Sequence, residues 1–142
     1  MHLILADGTK LNHLGATSTT KFIQGANRDT ITFEFDNTHS VDELRNIFTE
    51  LNCEVINIVT DDLETLEDGT ENVVYTNNYW EGYVIRTEVS EKMHVVKPAT
   101  GTTPEVTETR VYVTMAQRTY AETQIASIIE TVDILVLENL LA

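Results

Sequence analysis

The hydrophobic period of this chain changes at Thr119, and that switch limits the fold more than any other feature. Before it, the clearest apolar patterns repeat every second residue; after it, every third or fourth. Thr30-Ile31-Thr32-Phe33-Glu34-Phe35-Asp36 would turn Ile31, Phe33 and Phe35 to a core and Thr32 and Glu34 to water. Val106 to Met115 repeats the pattern, with Val111, Val113 and Met115 on one face and Arg110, Tyr112 and Thr114 on the other. Beyond Thr119, Ile125, Ile128, Ile129, Val132, Leu135 and Val136 fall on one side of a helix.

The residues before the switch divide into short elements. Leu3-Ile4-Leu5 leads into the turn signal Asp7-Gly8, and Lys10-Leu11-Asn12 returns as a hairpin. Lys21 to Gln24 reads as a short strand stopped by Gly25-Ala26-Asn27-Arg28-Asp29. Ser40 and Glu43 form a capping box, the serine hydroxyl accepting from the backbone and the glutamate reaching back. Val41, Leu44, Ile47, Phe48 and Leu51 share a face, so a helix is predicted over 40–51, with Asn52 as its stop. Strands are expected near 53–60, 71–76, 79–88 and 92–97, with a hairpin turn at Asn77-Asn78. Pro98 to Glu105 holds both prolines and no large apolar group, which predicts a loop. Across it, 84–96 should pair with 106–115.

Together these patterns predict an α+β chain, mainly β. A compact antiparallel body of two short sheets or a partial barrel, with one short helix, is expected over 1–117. A C-terminal amphipathic helix is expected over 118–142. A chain of 142 residues has room for one domain, or one small domain and an appendage.

That last helix is the candidate interaction site. Ile125, Ile128, Val132 and Leu135 follow a/d spacing, and Asn139 takes the next a position, where a buried asparagine can fix register. Ile129, Val136 and Leu140 complete the interface set. The tail from Ile134 to Leu141 is apolar on almost every side, more than a single seam covers. Self-association or docking on a partner is expected. The competing reading lays the helix along its own body.

Chemical signals elsewhere are sparse. Asp61 to Glu71 holds six carboxylates, which a hard cation such as calcium could use, but their spacing does not fit an EF-hand loop. A solvated acidic connector explains them equally well. His2, His13, His39 and His94 have no partner at ligand spacing, and no phosphate-binding glycine loop or nucleophile elbow occurs. Cys53, the one cysteine, sits in an apolar-alternating run and reads as a small buried hydrophobe. Tyr79, Trp80 and Tyr83 could form an aromatic binding surface or straddle core and edge of a sheet. No enzyme activity, metal or cofactor is expected.

Charge narrows the partners. Nine Lys and Arg against 23 Asp and Glu give a formal charge of −14. Nucleic acid and anionic membrane surfaces call for the opposite sign, so neither is expected as a partner. The apolar start ends at Asp7-Gly8 and lacks a basic lead, so no signal peptide is read and synthesis in a cytoplasm is expected.

The run Val111-Tyr112-Val113-Thr114-Met115-Ala116-Gln117-Arg118-Thr119-Tyr120-Ala121-Glu122, leading into a helix that ends Glu130-Thr131-Val132-Asp133-Ile134-Leu135-Val136-Leu137-Glu138, carries a resemblance. It resembles the end of small structural proteins encoded in the tail and baseplate regions of tailed phages and prophages of Gram-positive bacteria. The N-terminal hairpin and the Gln24-Gly25-Ala26-Asn27-Arg28-Asp29 turn fit the same group. The resemblance implies a virion structural role, in the tail, in several copies, with partners among its own copies and other virion proteins. A head or neck auxiliary protein, and a host-directed binding or inhibitor protein absent from the virion, stay open beside it.

Overall fold

Strand β4 (Ala26–Phe35) pairs with β8 (Val106–Ala116) and sets Ile31 opposite Met115, Phe33 opposite Val113 and Phe35 opposite Val111. All six side chains are buried, so the two alternating segments form one apolar wall. The computed structural model describes residues 1–141. The remaining strands are β1 (His2–Ile4), β2 (Lys10–Asn12), β3 (Gly15–Ile23), β5 (Val55–Thr65), β6 (Glu71–Glu81) and β7 (Ile85–Lys97). They make two four-stranded antiparallel sheets, ordered β2-β1-β5-β6 and β3-β4-β8-β7. Leu3, Leu11, Ile56 and Ile58 of the first sheet face the wall, and the sheets do not close into a barrel. The expected mainly-β body of two sheets is therefore observed.

Helix α1 (Val41–Ile47) closes one end of the core with Leu44, and Phe48 just beyond it packs 5.9 Å from both Phe33 and Phe35. Ser40 caps it, its Oγ accepting the Glu43 N–H at 3.1 Å. Glu43 does not reach back: its carboxylate lies 3.1 Å from His39 Nδ1. The helix is shorter than the expected 40–51, and Leu51, in a 3-10 turn (Leu51–Cys53), is exposed. Asn52 does end α1, by donating from Nδ2 to the Ile47 carbonyl at 2.8 Å.

Several boundaries differ from expectation. Lys21 to Ile23 is the end of a nine-residue strand, and Ala26 to Asp29 already belongs to β4. The turn is Gln24-Gly25, both at positive φ, which matches the twist of the paired strands. Asn77 and Asn78 lie inside β6, opposite Val59 and Ile58, where Asn57 donates to Asn77 Oδ1 at 3.1 Å. The expected strand 79–88 is broken at Gly82, whose φ of 79° turns the chain from one sheet to the other. The acidic segment 61–71 is mostly strand, and only Leu66 to Thr70 forms the hairpin tip. The expected strand 92–97 is the end of β7, which pairs with β8 across the loop at 98–105.

Candidate interaction site

Helix α2 (Tyr120–Leu141) starts at a doubly bonded cap. The Thr119 hydroxyl accepts the Glu122 N–H at 3.2 Å, and a Glu122 carboxylate oxygen accepts the Thr119 N–H at 3.0 Å. The same carboxylate pairs with both Arg28 terminal nitrogens, Nη1 to Oε1 and Nη2 to Oε2 at 3.1 Å. The Arg28 side chain is only 2% exposed. It also donates to the carbonyls of Ile23 at 2.8 Å, Gln117 at 3.3 Å and Gln24 at 3.4 Å. One guanidinium thus ties the β3–β4 turn to the helix root. The Arg28 bonds, reinforced by the Thr119 amide, hold the Glu122 carboxyl down at about 2.

The segment before the helix is fastened as firmly. Gln117 N–H donates to the Asp29 carbonyl at 2.9 Å, and Arg118 N–H to the Gly82 carbonyl at 3.0 Å. The Gln117 side-chain amide reaches the Glu81 carbonyl at 3.1 Å. Arg118 pairs with Glu50, and with Glu54 at 3.4 Å. Residues 117–122 are bonded to both sheets, so the root of α2 is fixed to the body.

The shaft is the reverse. No residue of α2 is buried. Ile125, Ile128, Ile129, Val132, Leu135, Val136 and Leu140 are 49–76% exposed, and Asn139 is exposed with them. Ile134, Leu137 and Leu141, on the opposite side, are exposed as well. The helix does not lie along its own body in this chain; all eight expected interface positions are uncovered.

The aromatic trio is not brought together as one surface. Tyr79 is exposed, whereas Trp80 packs against the core and meets Tyr83 edge-on, ring centres 5.3 Å apart. Tyr83 is 6% exposed. The strand alternation that separates Tyr79 from Trp80 is the cause.

Cys53 is fully buried, and burial pushes its thiol up to about 12. His13 is buried edge-on to Phe33, with neither ring nitrogen hydrogen-bonded; burial, aided by the terminal ammonium and His2, takes it down to about 4. Strand geometry spreads Asp61, Asp62 and Glu64 to alternate faces, and no group of three metal-ligating side chains converges among the described residues. No described helix is long and apolar enough to cross a membrane.

Arg28, Arg118, Glu50, Glu54 and Glu122 are the site residues that sequence reasoning missed. Thr119-x-x-Glu122 was findable as a capping box. Arg28 and Arg118 gave no signal, since their partners lie 94 and 64 to 68 residues away. No protein-family model, curated protein or solved structure matches this chain.

Proposed function

We propose that this protein is a non-enzymatic structural component of a tailed-phage or prophage particle, in the tail or baseplate, made in the bacterial cytoplasm. It joins its own copies or other virion proteins through α2. The observation that carries the assembly reading is the contrast within that helix. Its root is held by a buried arginine and a reciprocal cap, while no residue of its apolar shaft is buried against its own chain. Exposed apolar surface of this extent marks an interaction site. The tail or baseplate placement draws on the resemblance in residues 111–138 and on an acidic charge that keeps a many-copy component soluble.

Mass spectrometry of separated heads and tails tests the placement. Recovery with tails is expected; recovery with heads favours a neck or head auxiliary, and absence from purified particles favours a host-directed binder.

A further inference from the structure

We infer that α2 assembles with other copies of itself, in parallel, as a bundle of at least three helices whose core is the wide stripe. This rests on the assembly reading above and names the partner. Ile125 and Val132 take a positions, Ile128 and Leu135 take d, and Ile129 and Val136 make the e positions apolar too. A two-stranded coil needs only a and d, whereas a three-in-seven face is what a bundle helix buries. A stable interface engages roughly 20–30 residues on each side. One helix laid on this stripe covers far fewer, so two neighbours per helix fit it better.

The borders of the stripe fit identical copies. Gln124, Thr131 and Glu138 line one side and Ala126, Asp133 and Leu140 the other. In a parallel bundle each Asp133 therefore lies nearest the level of its neighbour's Thr131, with Glu138 more than a helical turn further along. No lysine or arginine lies in the helix. A partner chosen by charge would have to be basic, but it would find Glu130 among the outer apolar residues and Glu138 far around from Asp133. Parallel alignment also sets the Asn139 side chains of the copies side by side, where their amides can bond each other and fix register. Ile134, Leu137 and Leu141 face outward from this bundle and take no part in it.

Native mass measurement of the full chain and two variants tests the arrangement. At least three times the 16.0 kDa chain mass is expected for the full chain and for Leu137→Glu, and a single chain mass for Val132→Glu. A monomer or dimer of the full chain overturns the bundle. So does dissociation by Leu137→Glu equal to that by Val132→Glu, which would mean indiscriminate stickiness. Ile125→Cys under mild oxidation should cross-link in the bundle, with buried Cys53 inert; no cross-link overturns the parallel alignment. A monomeric chain recovered with tails would refute the bundle and leave the virion placement standing; a bundle absent from particles would refute that placement and leave the bundle standing.

Discussion

Arg28 spends every donor of its side chain on joining parts of the chain that sequence separates. Replacing it by alanine leaves three carbonyls and Glu122 without that partner, although Glu122 can turn to water. Arg28→Ala should therefore lower stability by about 2 kcal/mol, short of the cost of stranding a deeply buried charge. Urea unfolding would read it. Acid should act most strongly through two separate groups, beside smaller losses at Asp7, Asp36 and Asp68, whose carboxyls are lowered by hydrogen bonds from Thr9, Thr38 and Thr70. Glu122 is depressed from 4.5 to about 2, so its contribution is complete above 4.5 and is lost as pH falls toward 2. His13 is depressed from 6.5 to about 4 because its buried ring resists protonation, so the folded state loses ground between those values and no further below them. Glu122→Gln should flatten the lower window and His13→Leu the upper, in thermal melts taken across pH. A melt of Glu122→Gln that still falls steeply between 4.5 and 2 would assign that slope to other carboxylates.

Strands with one buried face were legible from their alternation, while strands exposed on both faces were legible only in part. Ile31, Phe33 and Phe35 alternate because a core takes every second side chain, and the same cause exposed Val111, Val113 and Met115 to reading. The first half of strand β3 and the outer part of β5 meet water on both sides, so no alternation records them, although 71–76 across the same ribbon was expected as strand. Turn-forming residues then misled: Asn77-Asn78 tolerates a turn but does not demand one, whereas Gly25 and Gly82 occupy positive φ. The end of α1 shows what composition hides. Its last carbonyls are answered by Asn52 and by Arg86, which donates to Arg45 and Phe48. Asn52→Ala removes that bond and the one from Asp7 N–H, and should cost about 1–2 kcal/mol. A midpoint unchanged in urea would show that water replaces both bonds.

At the scale of the molecule, the core and the contact surface occupy different parts. The core lies between the sheets, while α2 contributes no buried residue to it. A chain ending at Tyr120 should therefore keep its Trp80 and Tyr83 environment, with a melting point lower by several degrees for the lost Glu122 bonds. It should also lose the association of the full chain. Salt gives the sharper test, because every copy carries −14 and α2 holds acids without bases. Bringing copies together gathers like charge, whereas the stripe that joins them is apolar. Screening weakens the repulsion over a Debye length of about 10 Å at 0.1 M and leaves apolar burial in place. Raising ionic strength from about 0.01 to 0.15 M should thus tighten association, read as a lower protein concentration for half-assembly in sedimentation. Association that weakens over the same range would mean that opposite charges hold the copies, and would move the contact away from α2 to lysines such as Lys92 and Lys97 on the β7–β8 ribbon.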